Sequence, residues 1–250
     1  MTTMLMFLSF IILATYVQTV TGFAFGLVLM GLIGLSHLLP LADTAIIVSI
    51  LTLTNAAVIL LKAWRMVDIK HLSLTLAGAF PFVIIGVFLL DWLASTSLTL
   101  LQLILGLVIA LSSFQLLQRP KTGSQIAPNY SFVISGALGG LLSGLFSAAA
   151  PPIVHHFYRQ PIDYKIIRDT LLALFACTGI LRLTTVVISG SWHSTIIWWT
   201  LIALPFVIIT SYLARRFPPP LGPEAIRRLV FLLLFASGAM LAVPAGLTFL

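Results

Sequence analysis

Long apolar runs separated by short polar stretches fill almost the whole chain. Eight of them approach or exceed the ~20 residues that a membrane-spanning helix needs, at roughly 2–35, 44–61, 72–90, 98–117, 131–154, 170–189, 195–213 and 229–249. Two of the eight are broken: the first is too long for one span and is interrupted at Thr21-Gly22, and the fifth is interrupted by Pro151-Pro152. The other six predict uninterrupted helices. The opening stretch has no Lys or Arg ahead of its apolar run and no small-x-small cleavage site, so it is expected to stay in the membrane as part of the first segment.

The polar stretches predict direction. Lys62, Arg65 and Lys70 follow the second segment, Arg119 and Lys121 the fourth, Arg159, Lys165 and Arg168 the fifth, and Arg215, Arg216, Arg227 and Arg228 the seventh. The remaining connections, 36–43, 91–97 and 190–194, carry no Lys or Arg. Cytoplasmic loops collect basic residues, so the basic stretches are expected inside. Both ends of the fifth segment then face the cytoplasm, and that segment must enter and return as a hairpin.

A repeat supports the same arrangement. Ala79-Phe80-Pro81-Phe82-Val83-Ile84-Ile85 recurs as Ala203-Leu204-Pro205-Phe206-Val207-Ile208-Ile209, with Pro205 standing 124 residues after Pro81. Sliding the first half by that offset lays segments one to four on segments five to eight. The loop after Phe82's helix holds no basic residue and the loop after Phe206's helix holds four, so equivalent loops face opposite sides. The expected architecture is two inverted-topology repeats, each a broken or re-entrant helical hairpin plus three transmembrane helices. The boundaries expected are 1–118 and 131–250 for the repeats, with a cytoplasmic linker at 119–130.

Composition agrees. Apolar residues make up 60% of the chain and charged residues 8%, with a mean hydropathy of +1.16. Soluble domains carry about 25% charged residues, so a soluble enzyme, a nucleic-acid-binding domain and a disordered chain are excluded. The net charge of +7 is spent on loop placement, and no nucleic-acid partner is expected. Cys177 is the single cysteine and no Cys/His ligand set is apparent, so neither a metal nor a cofactor is expected. The pair His155-His156 is expected at a solvated interface, and Trp192, Trp198 and Trp199 in an aromatic belt at the outer boundary.

The two breaks correspond: Thr21-Gly22-Phe23-Ala24-Phe25-Gly26 falls on Phe146-Ser147-Ala148-Ala149-Ala150-Pro151. Non-helical backbone at membrane depth persists only where protein buries it or where it lines a wet cavity. A half-helix starting there presents free N–H groups that favour an anion, and Pro151-Pro152 suit a first helical turn. Packing alone is the alternative explanation for such small residues. It is the one adopted for Gly136, Gly140 and Gly144, whose spacing of four lets helices approach closely.

Gln18-Thr19-Val20-Thr21-Gly22-Phe23-Ala24-Phe25-Gly26 resembles the opening motif of the TauE/SafE sulfite exporter family. Gly136-Ala137-Leu138-Gly139-Gly140-Leu141-Leu142-Ser143-Gly144-Leu145-Phe146 resembles the start of that family's second repeat. The resemblance covers essentially the full length. It implies a bacterial inner-membrane permease for small sulfur-containing anions such as sulfite, sulfoacetate, another organosulfonate or thiosulfate, usually moving them outward. Where the family continues the second motif with further glycines, this chain has Ser147-Ala148-Ala149-Ala150-Pro151, and no proline follows soon after Gly26. The resemblance therefore specifies the family more closely than the anion.

Substrate contacts are expected from both breaks, at Thr21, Gly22, Phe23, Ala24 and Gly26 and at Ser147, Ala148, Ala149 and Pro151. Asn55, Thr178 and Arg182 are expected to add contacts from the crossing helices. Arg182 lies inside the sixth segment, either as the counter-charge of an anion or snorkelling toward the outer interface near Gly190. Asn55 and Thr178 serve equally as interhelical hydrogen-bond partners. Asp43, Asp91 and Asp169 are expected at span ends, which leaves no proton relay at membrane depth. The partners expected are the bilayer and a small anion, with a homodimer as a candidate assembly. An intramembrane enzyme is the rival class, but Ser143 lacks the G-x-S-x-G spacing and no span holds a His to serve as its base. No catalytic residue is assigned.

Overall fold

The computed structural model describes residues 2–21, 24–63, 66–117, 123, 125–147, 151–190, 194–216 and 223–248. Ten helices run through them: α1 (Thr2–Thr21), α2 (Phe25–Ser36), α3 (Leu41–Ala63), α4 (Ile69–Thr96), α5 (Leu98–Leu117), α6 (Asn129–Phe146), α7 (Pro151–Tyr158), α8 (Tyr164–Ile188), α9 (Ser194–Arg216) and α10 (Pro223–Leu247). No strand occurs among the described residues. Five stretches are long and apolar enough to cross a bilayer: α4, α6, α8, Ile196–Ala214 of α9 and Val230–Leu247 of α10.

The two long apolar runs break where small residues interrupt them. The first divides into α1 and α2, with Ala24 in the left-handed region at φ 78° as the N-cap of α2. The second divides at Ser147, left-handed at φ 48°, which caps α6 by donating its N–H to the Ser143 carbonyl. Pro151 and Pro152 open α7, where their missing N–H groups cost no helical bond. The chain then returns to the end of the bundle where α6 begins. The Gly123 N–H donates to the Arg159 carbonyl at 2.8 Å, the Ala127 N–H to Gln160 Oε1 at 2.8 Å, and Ser131 Oγ meets His156 Nε2 at 3.2 Å.

Two connections are tighter than the hydropathy pattern predicts. Residues 91–97 are expected as a loop, yet α4 continues through Thr96 and only Ser97 separates it from α5. Ser97 makes this corner by donating its N–H to the Leu93 carbonyl and accepting from the Leu100 N–H. Asp91 therefore stands on a helix, as does Asp43 in the first turn of α3. Polar residues at a bilayer edge lower hydropathy without ending a helix.

The long helices pack in pairs, with α8 lying against α4 as well as α3. α4 lies along α6, α5 along α10, α3 on α8 and α1 on α9. The α4–α6 contact is backbone against backbone. A Cβ at Gly136 would stand 2.1 Å from the Thr75 carbonyl oxygen, one at Gly140 2.4 Å from that of Ala79, and one at Gly144 2.3 Å from that of Val83. Packing is thus what the Gly136/Gly140/Gly144 stripe does. The outward faces are apolar: Ile84, Ile85, Phe88 and Trp92 on α4 and Leu201, Ile208 and Ile209 on α9 are all exposed. Such a belt is stable in lipid and would be an aggregation surface in water. Pro81, Pro205 and Pro244 sit inside helices that continue past them.

Gly140→Val forces α4 and α6 apart and should destabilise the bundle by about 1–3 kcal/mol. This is read as a lower thermal unfolding midpoint in detergent. Phe88→Leu on the lipid face should change it by no more than about 0.5 kcal/mol. Equal midpoints for Gly140→Val and the unaltered chain would contradict the close backbone contact.

Candidate functional site

Polar side chains in an apolar bundle must find partners, and here they find one another beside the second break. From α3, Ala45, Ser49 and Thr52 share a face at helical spacing. Ser49 Oγ lies 2.5 Å from Ser147 Oγ, and both hydroxyls reach the Ala45 carbonyl, at 2.9 and 2.8 Å. From α6, Ser143 Oγ donates to Thr178 Oγ1 of α8 at 3.4 Å.

Arg182 of α8 completes the group. It is 1% exposed, among the largest fully buried side chains of the molecule. Its Nε donates to the Gly144 carbonyl at 3.0 Å and its Nη1 to Ser49 Oγ at 3.3 Å. The side chain turns into the bundle and does not snorkel. A guanidinium carries five N–H donors and stays charged in a protein, and both of these acceptors are neutral. Burying such a charge costs several kcal/mol unless an opposite charge or further hydrogen bonds offset it.

These groups surround a cavity of about 20 Å³ lined by Gln18, Phe25, Gly26, Ser49, Thr52, Ser143, Ser147, Phe175, Thr178, Gly179 and Arg182. That volume is close to what one water needs. Thr52 Oγ1 is buried without a hydrogen-bond partner, so it offers one free polar contact to whatever enters. Arg182 also lines a second, more open cavity of about 500 Å³ with Asp43, Asp91 and Ser95. It therefore stands between the enclosed space and a carboxylate-bearing vestibule.

Of the residues expected at the site, Gly26, Ser147, Thr178 and Arg182 line the enclosed cavity. Asn55 lies one layer away. Its Nδ2 donates to Gln18 Oε1 at 2.8 Å and its Oδ1 accepts from Ser211 Oγ at 3.0 Å, so it ties α3 to α1 and α9 and orients Gln18. Ala24 and Pro151 are buried at the starts of α2 and α7, outside the cavity lining. Gly22, Phe23, Ala148, Ala149 and the side chain of Thr21 lie outside the described residues.

Sequence reasoning missed Ser49 and Thr52, although hydroxyls three apart on an apolar helix are a usable signal. It also missed Phe25 and Phe175, which nothing distinguishes among 17 phenylalanines. Asp169, expected at a span end, lies in the second turn of α8 and is buried, with a carboxylate oxygen 2.9 Å from Arg168 Nη2.

The family model for the sulfite exporter TauE/SafE matches residues 7–241. The chain belongs to the TauE/SafE sulfite exporter family. It is 38% identical over 231 residues to the "Probable sulfite/organosulfonate exporter TauE" of Cupriavidus necator, covering 92% of this chain and 90% of that protein. It is 27% identical over 145 residues to the "Probable inner membrane transporter protein TsaS" of Comamonas testosteroni, covering 55% of this chain and 58% of that protein. No solved structure matches. The family is one of transporters, and a multi-pass membrane protein follows from it together with the apolar helices.

Asn55→Leu leaves the Gln18 and Ser211 side chains without their buried partner. It should lower stability by about 1–3 kcal/mol, seen as a reduced unfolding midpoint in detergent. An unchanged midpoint would mean that the three-helix bridge does not form.

Proposed function

We propose that the protein is a secondary transporter that moves a small sulfur oxyanion or organosulfonate outward through the cavity at Arg182. The observation that carries this is a fully buried guanidinium whose two hydrogen bonds go to neutral acceptors. A tetrahedral or pyramidal oxyanion would add to the attraction that Asp91 already exerts on the guanidinium and accept in the planar fork geometry that Arg favours. The hydroxyls of Ser49, Ser147 and Thr52 would complete its oxygen shell, and Phe25 and Phe175 would wall off an apolar substituent. The names of the Cupriavidus and Comamonas proteins point to the same substrate class and to the inner membrane.

The working cycle rests on two inverted repeats. The packing supports them, because exchanging the halves leaves the pairings intact: α4 with α6 corresponds to α9 with α1, while α3 with α8 and α5 with α10 correspond to themselves. Each repeat contributes a broken hairpin, α1–α2 or α6–α7, and three further helices, eight segments in all, with the basic loops cytoplasmic. The enclosed cavity is too small for a polyatomic anion, so binding requires the halves to part by rocking.

Proteoliposomes carrying the protein should exchange labelled sulfite or sulfoacetate in a counterflow assay. Arg182→Gln should reduce that exchange by about 30-fold or more, the cost of removing one partner of a buried charged hydrogen bond. Ser49→Ala should reduce it roughly tenfold. Exchange of carboxylates but of no sulfur anion would overturn the substrate class, and full activity in Arg182→Gln would overturn the site.

A further inference from the structure

A third cavity, remote from Arg182, opens between α6 and α7 at the end of the bundle where the chain returns. Its volume is about 570 Å³. On one side stand Ser131, Ile134, Ser135 and Leu138, successive positions of one face of α6; on the other stand Pro152, His155, His156, Arg159 and Gln160. The groove is amphipathic along its length. Its deeper part is apolar, and Ile134 and Leu138 are each 55% exposed on the outer surface of the bundle, where acyl chains lie. Its upper part gathers Arg159, two imidazoles and an amide, and no Asp or Glu lines it among the described residues.

The polar end is built. Phe132 packs edge-on against His156 with ring centroids 4.5 Å apart and against Phe157 at 5.5 Å. His156 Nε2 meets Ser131 Oγ, and Gln160 is held by the His156 carbonyl and the Ala127 N–H. Burial, and next the Arg159 charge, push both imidazoles below the usual histidine range. Near neutral pH they are therefore hydrogen-bonding rings, and Arg159 supplies the fixed charge. Hydrogen bonds tie this end of α7 to the residues that open α6, and the start of a helix long enough to span is where headgroups lie.

We infer that the groove between α6 and α7 binds an anionic phospholipid, with its phosphate at Arg159, His155 and His156 and an acyl chain along Ile134 and Leu138. A free oxyanion shares the phosphate chemistry, but it would leave the apolar half unfilled. Basic pockets between helices at a charged leaflet are recognised lipid sites. The placement has a structural consequence, since α7 begins directly after the link that leaves Ser147. A lipid holding α7 would steady that edge of the transport cavity.

Native mass spectrometry of the full-length protein in detergent tests this without any transport measurement. With phosphatidylglycerol and phosphatidylcholine added in equal amounts, phosphatidylglycerol should be retained preferentially. Arg159→Gln should reduce that preference about fivefold, the effect of one cation at a charged headgroup. Lys165→Gln, which alters a neighbouring basic residue outside the groove, should leave it unchanged. Leu138→Asp should weaken retention of phosphatidylglycerol while sparing the folded mass spectrum.

Equal retention of the two lipids, or an unchanged preference in Arg159→Gln, would overturn the inference. So would displacement of phosphatidylglycerol by glycerol phosphate at matched concentration, which would make the groove a site for free anions. Because no flux is measured, failure here leaves the transport proposal standing, and failure of transport leaves this one standing.

Discussion

Arg182 is a permanent charge buried among apolar helices, where a low dielectric makes it costly. The surrounding helices are arranged to tolerate it: α6 offers the Gly144 carbonyl, α3 offers Ser49, and the left-handed turn at Ser147 brings a second hydroxyl beside Ser49. Two neutral acceptors satisfy part of a buried guanidinium, and the Asp91 carboxylate attracts it from the vestibule side.

The supporting packing explains how the charge can sit there. Gly144 belongs to the glycine stripe that lets α6 press its backbone onto α4. The carbonyl of the same residue accepts from Arg182. Asn55 performs a related service on the other side of the cavity, holding Gln18 in place through α1, α3 and α9. The site is therefore a junction of helices distant in sequence, and a movement of either half changes its dimensions. The enclosed space has room for about one water.

Much of this was legible from the chain. The two interrupted runs, the role of the glycine stripe and the family itself follow from Thr21-Gly22, Pro151-Pro152 and the Gly136–Phe146 motif. Arg182 stood out because it was the one basic residue outside the basic loops. Its direction was not legible, since an arginine two turns from an interface can turn outward or inward until its neighbours are known. Ser49 and Thr52 escaped notice for a similar reason. α3 also carries Thr44 and Thr54, and hydropathy does not say which face meets a cavity. The corner at Ser97 was hidden because helix ends at a bilayer edge are set by hydrogen bonds, here Ser97 to Leu93 and Leu100, and not by the loss of apolar character.

The most direct test is an experimental structure of the protein determined with a saturating organosulfonate. The account predicts density for the sulfonate in an enlarged cavity, its oxygens within hydrogen-bonding distance of the Arg182 guanidinium and the Ser49 hydroxyl. A sulfonate bound elsewhere, with Arg182 still closed on Gly144 and Ser49, would contradict it.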